Sequence, residues 1–399
     1  MLTPAEAQDL IGQNLAWLPI ESLPLQQCAG AVLRENIYAE RDQPPYDRVA
    51  MDGIALDSRS LGASLRALRI QGMQPAGDPP QALEAAGTCI EVMTGAVLPS
   101  GCDAVIPVEQ INISGGEAHL AADLAVVPWQ NIHRRATDTR QGTLLLNAGV
   151  RLDAPEIAIA ASAGMARIPV ASQPSVAVIS TGNELIEPGE PVLPHQVRRS
   201  NAYAIVAALK RQGFGRVADD HVRDDLEELA ARLEFHLDTH DVLILSGGVS
   251  MGRLDLVPRA LADLKVRTIF HKVAQRPGLP LWFGVASSGA AVFALPGNPV
   301  STLVCVARYV MPALFAMMGA TPREPQKIAL GGPVTVKQPL AFFMPVRIET
   351  DDSGRAWAMP HPTNGSGDFT ALAGTDGFVE LPPGPNTYPK GFVTRLHRW

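Results

Sequence analysis

The stretches VAVISTGNE (176–184), VLILSGGVS (242–250) and AVFALPGNP (291–299) share one pattern, in which a short apolar run ends in a polar turn that contains glycine. Near-continuous apolar runs of this length are typical of parallel strands that are buried on both faces of a sheet. Helical patterns cover about 201–212 and 226–237 between these runs. The alternation of strand and helix predicts a doubly wound α/β sheet with right-handed crossovers.

The polar turns after the three runs are candidate binding elements. Ligands of open α/β sheets bind at the carboxyl ends of the strands, where glycine lets a ligand approach the backbone and N–H groups favour an anion. We therefore expect the three turns to converge on a phosphate-bearing ligand such as a nucleotide. Ordinary turn chemistry is the alternative, because Gly, Ser and Pro are common in strand-to-helix connections. The candidate residues are Ser180, Thr181, Gly182, Ser246, Gly247, Gly248, Ser250, Pro296, Gly297, Asn298 and Pro299.

Acidic residues near these turns are candidate ligands of a divalent cation. Glu184 ends the first turn, Asp224 precedes the second helical pattern, and Asp255 follows the second turn. Carboxylates beside phosphate-binding loops favour Mg²⁺, a hard cation that prefers oxygen ligands, so Asp224 and Asp255 are predicted metal ligands. The alternative for Asp224 is a helix capping box with Glu227, and Asp255 could cap the next helix in the same way.

Basic residues form a third candidate group. Lys272 and Arg276 precede a Pro-Gly turn, and Arg134 and Arg135 lie close to Asp138. An arginine side chain can bind phosphate or another oxyanion through its planar fork of donors. The alternative is that these side chains are solvated surface charges.

The chain of 399 residues is long enough for about two to four domains. The pattern predicts an N-terminal linker domain (1–45 and 139–170), an inserted β-rich module (46–138), the α/β domain (171–321) and a C-terminal all-β domain (322–399). The apolar stretch at 303–319 is interrupted by Arg308 and Pro312. We expect it to be a buried helix and not a membrane span.

Composition excludes several classes of function. The formal charge is −7, and no basic run could neutralise nucleic-acid phosphates, so we expect no nucleic-acid partner. The four cysteines stand alone, which suggests neither a zinc site nor a disulfide framework. The N-terminus lacks the apolar core of a secretory signal. A cytoplasmic location without membrane attachment is therefore the default expectation.

Several longer motifs together carry a family resemblance. They run in order along the chain and comprise PYDRVAMDGIA (45–55), MTGAVLPSGCDAVIPVE (93–109), VISTGNEL (178–185), SGGVSMG (246–252), LPGNPVS (295–301), GSGD (365–368) and AGTDGFVEL (373–381). In these motifs the chain resembles the molybdenum insertases, the molybdopterin molybdenumtransferase family of the MoeA and gephyrin E-domain type.

The resemblance implies a Mg²⁺-dependent transferase. Such an enzyme takes adenylylated molybdopterin and molybdate as substrates, places molybdenum on the dithiolene and releases AMP. The resemblance further implies an elongated homodimer in which the β-rich module of one subunit helps to close the cleft of the other. It also implies a molybdopterin adenylyltransferase and molybdoenzyme maturation proteins as partners.

The same resemblance implies roles for individual residues, carried over by motif. Those that match family positions in the catalytic machinery are Asp52, Asp138, Glu184, Asp224, Asp255 and Lys272, and those that match substrate-binding positions include Thr94 and Ser366.

The chain departs from the family pattern at a few positions. Leu279 stands where the family often has a second lysine in K-P-G-K-P, His133 replaces an arginine, and Asn183 replaces an aspartate. Lost cations weaken the capture of an oxyanion. An alternative is therefore a paralogue that binds or carries molybdopterin or the cofactor without insertion activity. A scaffold protein is a further alternative, and the expected lack of a second fused domain argues against it. A molybdopterin adenylyltransferase is another, and the extra β modules argue against that.

Overall fold

The computed structural model describes residues 1–61, 66–249, 256–384 and 386–399. The chain forms two compact units. The first unit contains Met1–Glu35, Ala148–Ala154 and Arg167–Trp399, and the second contains Asn36–Asn147 and Pro155–Ala166.

A six-stranded sheet, here called the central sheet, forms the middle of the first unit. Its strands in spatial order are Val217–Val222, Val176–Thr181, Val242–Ser246, Ala291–Leu295, Trp282–Val285 and Arg267–His271. The first four strands are parallel, and Trp282–Val285 runs antiparallel to both of its neighbours. The three strands predicted from sequence are therefore adjacent and end at the same edge of the sheet.

Helices cover both faces of the central sheet. Along Val176–Thr181, Val176 and Val178 belong to one hydrophobic cluster, whereas Ala177 and Ile179 belong to the other. This alternation buries the strand on both faces, so the predicted doubly wound α/β architecture is confirmed. The helices of this region are Ser200–Arg211, Leu226–Thr239, Val257–Asp263, Pro299–Cys305 and Met311–Met317, the last two joined by a π-helical turn at Val306–Val310.

The run Pro299–Met317 is long and apolar enough to cross a membrane by length and composition alone, but 67% of its most apolar window is buried inside the protein. From Cys305 onward its buried apolar side chains belong to the cluster on one face of the central sheet. The predicted buried helix is thus confirmed. Arg308 lies inside this run and is itself buried.

The N-terminal part of the first unit packs on the central sheet. The helix Pro4–Gln13 begins with a capping box between Thr3 and Glu6, and its Ala7 and Ile11 join the main cluster. Strand Ile20–Pro24 pairs antiparallel with Arg167–Ala171. A short parallel pair, Leu185–Ile186 with Val197–Arg198, follows the first turn.

The C-terminal region forms a small barrel, here called the C-terminal barrel. Its strands are Gln326–Leu330, Ala341–Thr350, Ala356–Pro360, Gly377–Leu381 and Val393–Arg398. Ala341–Thr350 pairs with both Ala356–Pro360 and Gly377–Leu381, which closes the sheet. A short pair, Val334–Thr335 with Thr387–Tyr388, flanks the barrel. The prediction of an all-β C-terminal region is confirmed. One further strand, Gln275–Arg276, comes from the α/β region and pairs parallel with Ala341–Phe342.

The second unit is built on another six-stranded sheet. In spatial order its strands are Ala104–Pro107, Gly53–Leu56, Thr88–Val92, Ala67–Gln74, Glu117–Leu120 and Ile111–Ser114. Short pairs join Ile37–Tyr38 to Leu144–Leu146 and Arg48–Val49 to Ile132–His133, and the helix Ala154–Ser162 lies almost entirely in this unit. Hydrophobic clusters occupy the two faces of the sheet.

Candidate active site

The three turns after the parallel strands meet at one edge of the central sheet. The amide of Gly247 in the second turn donates a hydrogen bond to the carbonyl of Leu295 at 3.2 Å. A Cβ added to Gly247 would stand 2.7 Å from the carbonyl oxygen of Thr181, and one added to Gly297 would stand 3.5 Å from the Cα of Gly247. The convergence expected from the sequence is therefore present.

Two glycines make this close approach possible. Gly247 has φ +104° and Gly248 has φ +64°, in the left-handed region that residues with a side chain rarely adopt. A Cβ on Gly248 would lie 2.9 Å from both Thr181 Oγ1 and a methyl group of Val257. Neither position has room for a side chain, so glycine is required at both.

Asn201 ties two of the turns together, and the sequence reasoning did not find it. Its Nδ2 donates to Ser246 Oγ at 2.9 Å and to the carbonyl of Gly297 at 2.7 Å. The only signal was an amide side chain in the first turn of the helix Ser200–Arg211. An Asn near a helix start is commonly a cap, so the sequence does not indicate that this side chain faces the sheet edge.

The hydroxyl groups predicted to bind a ligand differ in how far they are already engaged. Ser180 Oγ accepts from Arg199 Nε at 3.1 Å, and Ser246 Oγ accepts from Asn201. Thr181 Oγ1 is buried and has no hydrogen-bond partner among the described residues. A buried hydroxyl without a partner is costly, which makes Thr181 the hydroxyl available to a ligand. Ser250 lies outside the described residues.

The acidic residues of the first turn form a compact group. The carboxylate oxygens of Glu184 lie 2.6 and 2.7 Å from where a Cβ on Gly182 would stand, so the side chain folds back over this glycine. Asn183 N donates to Asp224 Oδ2 at 3.2 Å, and Asp224 N donates to Asn183 Oδ1 at 3.1 Å. The reciprocal pair joins the turn to the segment before the helix Leu226–Thr239.

The capping box suggested for Asp224 is wrong. The N-cap of the helix Leu226–Thr239 is Asp225, whose Oδ1 accepts from Glu228 N at 2.8 Å. Asp224 is thereby released from a capping role and faces the first turn. The other predicted metal ligand, Asp255, lies outside the described residues. Within the described part of the chain, no group of three or more His, Cys, Asp or Glu side chains could hold a metal ion.

A cavity of about 500 Å³ adjoins the third turn, between the central-sheet region and the C-terminal barrel. Its walls include Pro296 and Asn298 of the turn and Phe342, Phe343 and Met344 of the barrel. The volume is in the range of small-molecule and cofactor sites, and an apolar wall with a few polar groups is typical of them.

Two cations are among the described residues that line this cavity. Arg276 lies in the strand that pairs with Ala341–Phe342, and Lys337 lies in the segment before that long barrel strand. Neither makes an ion pair within the described part of the chain, and none of the described lining residues is an Asp or Glu. The cavity therefore favours an anion. Lys272 is not among the described lining residues and has φ +79°. Leu279 is among them.

A polar contact joins the two walls beside the third turn. Asn298 Nδ2 donates to Ser366 Oγ at 2.8 Å, and Val300 N donates to the carbonyl of Ser366 at 3.0 Å. Pro299 is the first residue of the helix Pro299–Cys305. The motifs that contain Asn298 and Ser366, 68 residues apart, thus meet at the cavity.

In the second unit, two predicted site residues form one pair. The backbone N and Oγ1 of Thr94 donate to Asp52 Oδ1 at 2.6 and 2.7 Å. These two hydrogen bonds hold the pKa of Asp52 below its usual range. Asp52 is therefore an anion at neutral pH and suits the role of acceptor or cation ligand better than that of a general acid.

The basic and acidic residues near 134–138 are engaged with neighbours in the second unit. Asp138 Oδ1 lies 2.9 Å from His133 Nε2, and Arg48 donates to His133 Nδ1 at 3.1 Å, so Nε2 carries the proton. Arg135 pairs with Asp42 at 2.6 Å, and the Arg134 guanidinium lies 4.2 Å from the centre of the Trp129 ring. Arg134 thus remains the freer of the two arginines toward an anion.

Comparison with known protein families matches three consecutive parts of the chain. Residues 2–164 match the MoeA N-terminal region (domain I and II), residues 177–316 match a probable molybdopterin binding domain, and residues 327–393 match the MoeA C-terminal region (domain IV). The second of these spans the central sheet and its three turns, and the third spans most of the C-terminal barrel.

Full-length relatives agree with these matches. The chain is 35% identical over 400 residues to the molybdopterin molybdenumtransferase of Synechocystis sp., which covers 100% of both chains. It is 30% identical to the protein of that name from Staphylococcus epidermidis, over 93% of this chain and 89% of that one. The crystal structure of a molybdopterin biosynthesis MoeA protein from Pyrococcus horikoshii superposes with a TM-score of 0.82 at 30% identity, over 100% and 99% of the chains. The chain therefore belongs to the MoeA family of molybdopterin molybdenumtransferases.

Proposed function

We propose that this protein transfers molybdenum from molybdate to adenylylated molybdopterin, releases AMP and so forms the molybdenum cofactor. The observation that carries the proposal is the meeting of three glycine-containing turns beside a cavity whose described lining residues include Arg276 and Lys337 and no Asp or Glu. The full-length relatives named molybdopterin molybdenumtransferase support the same activity.

The turns provide a site for the phosphate-linked substrate. Gly247 and Gly248 let the first and second turns pack closely at this edge, and Thr181 Oγ1 offers a buried hydroxyl without a partner among the described residues. Donors that are already oriented stabilise negative charge on a phosphate as it develops, because no reorganisation is needed. We assign adenylylated molybdopterin to this edge of the sheet.

The cavity provides a site for molybdate. Arg276 and Lys337 supply the two positive charges, and Asn298 and Ser366 supply polar groups at the junction of the walls. Charge-assisted hydrogen bonds to an oxyanion are stronger than neutral ones. A molybdate bound here would lie next to the third turn, where the dithiolene of the first substrate would have to receive the metal.

Mg²⁺ fits this site as a cation shared with the substrate. Glu184 and Asp224 present oxygen ligands at the first turn, and both are exposed. Mg²⁺ typically binds one or two carboxylates and takes its other ligands from phosphate and water. We therefore propose that Glu184 and Asp224 hold it, with Asp255 from the second turn. When bound, the ion would neutralise phosphate charge as AMP leaves.

We also propose that the protein acts as a cytoplasmic homodimer. The support for this is the family resemblance, in which the β-rich module of one subunit helps to close the cleft of the other. Asp52, Thr94, Arg134 and Asp138 would then act on the substrate of the partner subunit. A molybdopterin adenylyltransferase would supply the substrate, and molybdoenzyme maturation proteins would receive the product.

The activity is tested by mixing the protein with adenylylated molybdopterin, Mg²⁺ and molybdate. Chromatography measures AMP, and elemental analysis measures molybdenum that stays with the pterin. AMP release that depends on molybdate supports the proposal. Tight binding of the pterin without AMP release contradicts it and supports a carrier, the alternative that Leu279 on the cavity wall favours.

A further inference from the structure

A polar cluster around the buried Arg308 joins three parts of the first unit, and the activity proposed above does not use it. Arg308, 2% exposed, lies in the π-helical turn Val306–Val310. Its Nε donates to Glu380 Oε2 at 2.9 Å, and another of its nitrogens donates to Gln8 Oε1. His397 Nε2 lies 3.1 Å from the same oxygen of Glu380. We call these four residues the Arg308 cluster.

The members of the Arg308 cluster come from three separate elements. Gln8 belongs to the N-terminal helix, Arg308 to the helical run after the third turn, and Glu380 and His397 to the C-terminal barrel. A buried guanidinium requires a carboxylate in good geometry, and its charge-assisted bonds are directional. The cluster therefore specifies one orientation of the barrel on the helical run.

Apolar contacts between the helical run and the barrel are less selective. Val300 and Val304 of the helical run pack with Phe343 and Phe378 of the barrel in one hydrophobic cluster. Burial of apolar area is non-directional, so such a contact tolerates small shifts between the two elements. The ion pair, like the hydrogen bonds that join Ser366 to Asn298 and Val300, is directional and would resist a shift.

The same contact continues into the wall of the cavity. Glu380 lies opposite Phe343 in the register of the barrel strands. Phe343 and Val300 both line the cavity, as do Lys337 and Arg276. A shift of the barrel on the helical run would therefore change the distance between the cavity wall that contains Asn298 and Val300 and the barrel wall that carries Lys337.

We propose that Arg308 and Glu380 are positioning residues, which hold the C-terminal barrel on the helical run and thereby set the cavity to the size of the oxyanion substrate. This inference rests on the molybdate site proposed above. Arg308 and Glu380 touch neither substrate in this assignment and act through the position of the barrel wall that carries Lys337.

The test compares four proteins. The double variant Arg308→Met, Glu380→Met replaces the ion pair by apolar side chains, a change that proteins often tolerate without loss of stability. Arg308→Lys keeps the charge but loses the planar fork. Arg232→Met is the control for loss of an arginine ion pair elsewhere in the unit, since the half-exposed Arg232 binds Asp220 between the helix Leu226–Thr239 and the strand Val217–Val222. The wild-type protein is the reference.

Two readouts separate positioning from general damage. The first is the molybdate concentration that gives half-maximal AMP release, measured beside the affinity for adenylylated molybdopterin without molybdate. The second is the distance distribution between spin labels at Lys210→Cys and Asp352→Cys, which are exposed positions on the helix Ser200–Arg211 and on the barrel. The four native cysteines are buried, so labelling is confined to the new ones.

In the double variant we expect half-maximal molybdate to rise by about tenfold or more, with pterin affinity changed by less than about twofold. In the double variant the distribution of label distances is expected to broaden. Arg308→Lys should be intermediate between the double variant and the wild type in both readouts. Arg232→Met should match the wild type in both. If the double variant does not fold, Arg308→Lys must still show the raised molybdate requirement and broadened distances.

The inference is overturned if the folded double variant shows the label distances and the molybdate dependence of the wild type. If the double variant does not fold, the same result in Arg308→Lys overturns it. An equal response of Arg232→Met would also overturn it. If the wild-type protein releases no AMP at all, the proposed function fails, whereas the label distances still decide whether the ion pair orients the barrel.

Discussion

Asp52 and Thr94, 42 residues apart in the chain, are joined by two hydrogen bonds, from the backbone N and the Oγ1 of Thr94 to the same carboxylate oxygen. The motifs AMDG and MTGA, which contain them, are thus two halves of one structural element. Because both bonds favour the ionised carboxylate, the pKa of Asp52 lies below its usual range.

Thr94→Val removes one of these two bonds, and the pKa of Asp52 is expected to rise toward the ordinary aspartate value. The direction follows because the lost donor stabilised only the charged form. In the wild type the lowered pKa adds stability that is present above about pH 4 and is lost as the pH falls through the folded-state pKa. Carbon NMR of the labelled Asp52 carboxyl measures the shift directly.

Thr350→Val is a suitable control for this experiment, since Thr350 lies exposed on the C-terminal barrel. It should leave the Asp52 titration unchanged. An Asp52 pKa that stays at the wild-type value in Thr94→Val would show that the backbone bond alone sets it.

Gly247→Ala tests the close contact of the first two turns. At φ +104° an alanine is strained by about 1–3 kcal/mol, and its Cβ would also stand 2.7 Å from the carbonyl oxygen of Thr181. We expect a fall in unfolding free energy larger than the strain alone and a loss of affinity for adenylylated molybdopterin of about tenfold. Urea unfolding and ligand titration measure the two effects.

Gly289→Ala separates strain from contact. Gly289 has φ +91°, a similar backbone conformation, but nothing lies within 4 Å of an added Cβ. In Gly289→Ala the unfolding free energy should fall only by the strain energy, and the affinity for adenylylated molybdopterin should stay unchanged. Equal losses in the two variants would argue against close packing of the turns as the reason for glycine at Gly247.

The parts of the fold with a strong periodic signal were predictable. The runs 176–179, 242–245 and 291–295 are apolar throughout because both faces of the sheet are covered, and this pattern predicts the three buried strands. Strand Val217–Val222 was missed since, at the edge of the central sheet, it carries Asp219, Asp220 and His221. Edge strands lack the continuous apolar character that identifies buried ones.

The candidate site was predictable residue by residue but not as a set of contacts. Sequence reasoning chose Asn298 and Ser366 separately, and their hydrogen bond depends on how the barrel packs. Lys337 and Asn201 carry no motif of their own. The mistaken capping box at Asp224 arose because the helix begins one residue later, and helix ends are poorly determined by local pattern.

The stability of the protein should fall between about pH 7 and pH 5 because of His397. Burial lowers the pKa of His397, the hydrogen bond to Glu380 opposes this, and the charge of Arg308 lowers it further. The unfolded chain therefore takes up the proton at a higher pH than the folded chain, and stability is complete above the unfolded pKa of about 6.5. One such group contributes at most about 1.4 kcal/mol per pH unit.

His397→Gln should therefore show a shallower loss of unfolding free energy over this pH range than the wild type. Urea unfolding at several pH values measures both slopes. The comparison of the two proteins cancels the contribution of His240, whose pKa is also lowered by burial. Parallel slopes would exclude His397 as the source. Burial raises the pKa of Glu380, but the bond from His397 and the charge of Arg308 outweigh it, so Glu380 loses its contribution only at lower pH.

Leu279→Lys should strengthen the capture of molybdate. Leu279 lines the cavity together with Arg276 and Lys337, and none of the described lining residues is an Asp or Glu that would pair with a new cation. Because the position is half-buried and partly screened, we expect the binding free energy of molybdate to improve by about 1 kcal/mol. The molybdate concentration for half-maximal AMP release should then fall about fivefold. The gain should shrink as salt is raised, since screening weakens exposed charges. Leu279→Met, similar in volume and uncharged, is the control. A molybdate requirement that is equal in the Lys and Met variants would mean that the oxyanion binds elsewhere.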